Sequence, residues 1–134
     1  MRLLLDTHVL LWMLVDDRRL SRRARATISG TDTECFVSAA SWWELAIKQS
    51  RNVTRLPLPV SEIRSAALDT GLRELSVTPA HALAVADLPH LHRDPFDRML
   101  IAQAMSEPMR LMTADVEIQA YEKACGVLIV TAMA

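Results

Sequence analysis

Short apolar runs that alternate with stretches of helical period constrain this chain more than any single residue does. Leu3-Leu4-Leu5, Cys35-Phe36-Val37 and the segments 72–77, 109–112 and 127–130 read as strands. Between them, apolar positions recur every three to four residues, as on one face of a helix. Helices are expected over residues 7–14 and 21–29, and over a segment carrying Trp42, Trp43, Leu45, Ala46 and Ile47 up to about Ser50. Residues 52–59, with two prolines, read as a connection. A helix over 61–70 is stopped by Gly71, and another starts at Thr78-Pro79 and runs to about Ala86. Asp94-Pro95 opens a helix carrying Met99, Leu100, Ile101 and Ala104, and a last long helix over 115–124 ends at Gly126. Strands separated by helices predict an α/β domain with a mostly parallel sheet, because parallel neighbours need a crossover long enough to hold a helix.

With 134 residues, no internal repeat and no interdomain linker, residues 1–134 are expected to form one domain. No apolar run approaches the ~20 residues of a membrane span. The opening Leu3-Leu4-Leu5 is broken at once by Asp6, Thr7 and His8, which does not fit a secretory signal. A cytoplasmic protein is expected. Cys35 and Cys125 lie too far apart for a zinc spacing and are read as buried thiols. A net charge of −1 excludes a global attraction to nucleic acid, yet Arg18, Arg19, Arg22, Arg23 and Arg25 fall in one stretch and Lys48, Arg51 and Arg55 in another. The first stretch reads as a solvated helix face, with contact to a phosphate- or carboxylate-bearing partner as the lesser alternative.

Four acids stand out, although each has an ordinary helix-capping role. Asp6 and Asp115 follow strands, where aspartate caps the next helix. Glu44 follows Ser41 by three positions, the spacing of a capping box. Asp94 and Asp97 bracket Pro95 at a helix start, where the helix dipole favours negative charge. Their conjunction says more. In a parallel sheet the strand-to-helix junctions share the carboxyl edge, where α/β proteins bind ligands. Four carboxylates gathered there repel one another unless a cation neutralises them. Magnesium takes one or two protein carboxylates, keeps waters and binds phosphate, which suits phosphodiester hydrolysis; manganese fits as well.

The segments that carry these acids resemble one family. Leu3-Leu4-Leu5-Asp6-Thr7-His8, Ser38-Ala39-Ala40-Ser41-Trp42-Trp43-Glu44-Leu45-Ala46-Ile47-Lys48, His92-Arg93-Asp94-Pro95-Phe96-Asp97-Arg98 and Leu111-Met112-Thr113-Ala114-Asp115 are similar to PIN-domain proteins of the VapC toxin type, in family order and over nearly the whole chain. The resemblance implies a PIN-like three-layer α/β/α fold. It implies that Asp6, Glu44, Asp97 and Asp115 gather one or two magnesium or manganese ions, Asp6 and Asp97 directly and Glu44 and Asp115 partly through water. Thr7 and Thr113 are then expected to hydrogen-bond the carboxylates or the metal waters, and Asp94 keeps a capping role. It further implies hydrolysis of RNA, a tRNA or ribosomal RNA, leaving a 5′ phosphate and a 3′ hydroxyl, and neutralisation by a small VapB-type antitoxin. With seven methionines and many alanines on a small chain, the family also leads us to expect a homodimer.

His8, His81, His90 and His92 match no zinc spacing and are read as structural or surface groups. Arg98 is a supporting candidate, for phosphate or for a carboxylate. Trp12, Trp42 and Trp43 are read as packing groups, one of them a candidate for a subunit interface. Two other classes remain open. A catalytically silent binding module would use the acids only as caps. A magnesium-dependent phosphoacceptor domain calls for an acidic pair near the first strand and a late lysine, whereas Asp6 stands alone and the lysines are Lys48 and Lys123.

Overall fold

Leu3, Leu4 and Leu5 are wholly buried in β1 (Arg2–Leu5), the centre of the molecule. Fully burying one such side chain contributes roughly 1.5–3 kcal/mol. The computed structural model describes residues 1–52 and 55–133. β1 lies between β2 (Glu34–Ser38) and β4 (Arg110–Thr113), with β3 (Arg73–Leu75) and β5 (Ile129–Thr131) outside them, giving the order β3-β2-β1-β4-β5. Every pairing among the described residues is parallel.

Alternation along the strands builds two cores. Leu3 and Leu5, with Cys35, Val37 and Met112, pack on one face of the sheet. Covering that face are α1 (Thr7–Val15), α2 (Arg22–Ser29) and α4 (Val60–Asp69), which contribute Val9, Leu10, Trp12, Ala24 and Ala67. Leu4 and Leu111 point the other way, against Leu100, Ile101 and Ala104 of α6 (Pro95–Ser106), Ile118 of α7 (Val116–Gln119) and Tyr121 of α8 (Tyr121–Cys125). The expected three layers are therefore present. α3 (Ala39–Arg51) contacts both α4 and α6. α5 (Pro79–Ala84), capped by Thr78, runs into a 3-10 turn, Val85–Asp87, and packs on α6.

Local chemistry moves several boundaries. The expected long helix over 115–124 is two short ones meeting at Ala120, so that Ile118 and Tyr121 both reach the core. The helix after β2 starts earlier than the Ser41 spacing suggested. Ser38 is its cap, accepting from the Ala40 amide at 3.0 Å, so Ser41 and Glu44 form no capping box. The edge strands are shorter than the apolar runs of 72–77 and 127–130. The connection expected over 52–59 includes residues 53 and 54, outside the described residues. Among the described residues, no helix is long and apolar enough to cross a membrane.

Candidate active site and metal centre

The chain runs outward from β1 to β2 and β3, then returns to place β4 on the other side of β1. The carboxyl ends of β1 and β4 thus form the switch point at which open parallel sheets leave a crevice. Asp6 stands immediately after β1, and its amide donates to the Met112 carbonyl of β4 at 3.1 Å. One carboxylate oxygen caps α1 by accepting from the Val9 amide at 2.8 Å, while the other accepts from the Thr113 hydroxyl. Burial pushes the Asp6 carboxyl above its ordinary value, with the charge of Asp115 adding to the rise; the Thr113 and Val9 bonds oppose it.

Thr7 extends this side to α3. Its hydroxyl lies 2.8 Å from Glu44 Oε1 and 2.9 Å from Ser41 Oγ, and Lys48 Nζ is 3.1 Å from Glu44 Oε2. Glu44 is only 6% exposed, so both of its oxygens are held where water has little access. The threonines do bond carboxylates: Thr7 that of Glu44, and Thr113 that of Asp6.

The opposite side is built around His92, for which the sequence predicts only a structural or surface role. His92 Nε2 lies 2.7 Å from Asp97 Oδ2 and 3.8 Å from Asp115 Oδ2, and Nδ1 is 2.5 Å from Glu117 Oε2. One ligand atom each from His92, Asp97 and Asp115 lie within 4.8 Å of one another. Burial pushes the Asp97 carboxyl up to about 6, and the charges of Asp94 and Asp6 add to the rise against the pull of His92. Burial opposes charge on His92 too, but its carboxylate neighbours prevail and raise its pKa. Asp94 caps α6, accepting from Phe96 and Asp97 amides at 2.8 and 3.2 Å, and Asp115 caps α7 from the Glu117 amide at 2.8 Å.

Arg98 has a different place from the one expected of a phosphate or carboxylate contact. It is 8% exposed and donates to the carbonyls of Val85, Leu88 and Pro89 and to the Tyr121 hydroxyl. Among the described residues it forms no ion pair, and its fork braces the segment leading to His92. His81 is structural, as expected: its Nδ1 accepts from the Thr78 amide and its Nε2 faces Glu107 at 2.6 Å. In the arginine stretch, Arg19 pairs with Asp17 at 2.7 Å and Arg25 with Asp16 at 2.6 Å, which leaves less free positive charge than the sequence suggests.

The charge of Asp115 therefore acts on Asp6 and that of Asp6 on Asp97 at one edge, and Glu44 is held by Thr7, the residue after Asp6. Carboxylate oxygens with one imidazole make a donor set that suits a hard or borderline divalent ion. The raised carboxyls at Asp6 and Asp97 mark a site where unbalanced negative charge is costly and a cation relieves it.

Comparison with known proteins places this geometry in a family. The PIN-domain family model matches residues 3–124. Ribonuclease VapC22 of Mycobacterium tuberculosis (strain ATCC 25618 / H37Rv) is 34% identical over 119 residues, covering 88% of this chain and 90% of that protein. Among solved structures, VapBC2 from Rickettsia felis bound to a DNA fragment from their promoter has a chain that superposes with a TM-score of 0.69 at 13% identity, covering 98% of each chain. A chain of VapBC-1 from nontypeable Haemophilus influenzae gives 0.67 at 15% identity, again with 98% of each covered. At these identities the two structures bear on the fold.

Proposed function

Because the chain belongs to the PIN-domain family, we propose that it is a toxin-type endoribonuclease that hydrolyses RNA phosphodiester bonds with a divalent cation held at Asp6, Glu44, Asp97 and Asp115. The observation that supports this reading is that Asp97 of α6 and Asp115 at the β4–α7 junction share a donor group with His92, while Asp6 follows β1 at the switch point of the sheet and Glu44 of α3 is bonded to its neighbour Thr7. Two of them, Asp6 and Asp97, have carboxyls raised by burial and by neighbouring charge. The ion is magnesium, with manganese able to take its place. When bound, such an ion supplies a Lewis acid for phosphate oxygens and lowers the pKa of water.

The chain's own residues do the positioning. Thr113 and the Val9 amide hold the two oxygens of Asp6, so the carboxylate does not swing. Thr7 and Lys48 fix Glu44 from opposite oxygens, which suits it to orienting water beside the scissile phosphate. In hydrolysis the water oxygen bonds to phosphorus and the bond to the 3′ oxygen breaks. A proton of the water passes to a carboxylate or bulk solvent and the leaving 3′ oxygen takes one up, so that the products are a 5′ phosphate and a 3′ hydroxyl. A tRNA or ribosomal RNA is the intended substrate.

The same reading makes residues 1–134 a single, cytoplasmic domain neutralised by a VapB-type antitoxin, as the VapBC complexes among the structural neighbours suggest. A homodimer is supported by an apolar groove of about 470 Å³ lined in part by Trp43, Val77, Phe96 and Met99, with Trp43 64% exposed. Purified, antitoxin-free chain incubated with total cellular RNA tests the activity. Cleavage is expected with magnesium or manganese and is lost on chelation; an intact RNA pool with either ion present rejects the reading. Sedimentation at high concentration tests the dimer, which a persistent monomer excludes.

A further inference from the structure

We propose that His92 is a nitrogen ligand of the divalent cation, through Nε2, with Glu117 holding the ring from the other side, so that the site binds manganese more tightly than magnesium. This inference rests on the metal-dependent reading above and adds a ligand that the four acids do not include.

The backbone of His92 is fastened to the core before its ring is considered. The Leu91 and His92 amides both donate to the Tyr121 hydroxyl at 3.1 Å, which in turn donates to the Pro89 carbonyl at 2.7 Å. Tyr121 is wholly buried, and Arg98 reaches the same hydroxyl at 3.0 Å. A residue fixed this way keeps its side chain in one place, which a ligand requires.

The ring then has two unlike sides. Nδ1 faces Glu117 Oε2, whose side chain is 59% exposed and lies at the outer margin of the group. Nε2 faces inward, toward Asp97 Oδ2 at 2.7 Å and Asp115 Oδ2 at 3.8 Å. Metal-bound histidines almost always donate their second ring N–H to a carboxylate or carbonyl, which fixes the tautomer and strengthens the ligand. Glu117 is that acceptor; without a cation Nε2 shares a proton with Asp97, and a cation that displaces this proton would meet the Nε2 lone pair in the space shared with two carboxylates. The chemical consequence is selectivity. Magnesium prefers oxygen donors and gives up water reluctantly; manganese is also served by oxygen donors but, as a first-row transition metal, accepts an imidazole nitrogen more readily than magnesium does, and the later metals more readily still.

Pulsed electron paramagnetic resonance on the manganese-loaded, antitoxin-free protein reads the ligand itself. Wild type is expected to show ¹⁴N modulation from a directly bound imidazole; His92→Gln loses it, while His8→Ala keeps it. In competition titrations the manganese-over-magnesium preference of His92→Gln should fall by on the order of tenfold. Far-ultraviolet circular dichroism of each variant controls for folding, and the wild-type spectrum stands without any variant. Manganese bound without ¹⁴N modulation, or modulation that persists in His92→Gln, overturns the proposal and leaves the metal reading intact. A wild-type protein that binds no manganese overturns both.

Discussion

The two sides of the acidic edge differ in how their charges are balanced. On the α1 and α3 side, Asp6 and Glu44 are buried and each oxygen has a donor: Val9, Thr113, Thr7 and Lys48. On the α6 and α7 side, Asp97, Asp115 and Glu117 converge on one imidazole, and their side chains are 17%, 39% and 59% exposed. The first side is a preorganised wall whose polar groups are satisfied by the fold. The second has more negative charge than its single histidine balances and is open enough to admit a cation and a substrate. Position without donors would leave the acids mobile, whereas a carboxylate oxygen that accepts one hydrogen bond keeps a further lone pair for an ion.

The largest effect that should divide the two sides is on activity. Asp97→Asn is expected to lower RNA cleavage on the order of a hundredfold or more, while its metal-free thermal stability holds or rises because an unfavourable buried charge is gone. Cleavage assays and melts on the same preparation check both halves; a variant that melts early while retaining cleavage breaks the contrast. Next comes the brace behind the open side. Arg98→Met leaves several carbonyls without their donor and is expected to cost on the order of 3 kcal/mol in urea denaturation, with the catalytic acids untouched. A change within error would mean that Arg98 does not hold the His92 segment.

Thr7→Val tests the wall. It preserves shape but removes the donor to Glu44, and should cost about 1–2 kcal/mol by the same denaturation measurement. The smallest effect is in pH dependence. The Asp97 carboxyl is raised to about 6, so the folded state holds this proton more tightly than the unfolded chain does. The stability this group contributes is therefore present below its unfolded value and is lost as pH rises from about 4 to about 6. The raised His92 pKa has the same sign at somewhat higher pH. Chemical denaturation of metal-free wild type and Asp97→Asn across pH 4 to 7 should show wild type losing relative stability as pH rises. A difference that stays flat, or grows in favour of wild type, contradicts the assigned environment of Asp97.

Features encoded within a few residues were legible in the sequence. Asp94-Pro95 marks the start of α6 because the cap and the proline act on the amides next to them, and short apolar runs separated by helical stretches predict the parallel sheet. The places of Asp6 and Asp115 after strands were legible for the same reason. What depended on distant partners was not. Ser41 and Glu44 have capping-box spacing, but Ser38 caps the helix and Glu44 turns to Thr7, 37 positions away. Arg98 stands beside Asp97 in sequence while its guanidinium points to the carbonyls of residues 85–89 and to Tyr121. His92 matches no metal spacing because its partners come from α6 and from the start of α7, joined only by folding. Glu117 carried no motif at all; its place in the first turn of the helix after Asp115 was the only local signal.

The central claim is that these acids form one hydrolytic site acting on RNA. Mapping RNA 5′ phosphate ends after brief induction of the chain, beside an Asp97→Asn control expressed to the same level, tests it most directly. New 5′ phosphate ends at discrete positions with wild type, absent with Asp97→Asn, are the predicted result. No new ends with wild type, or the same ends with the variant, would contradict it.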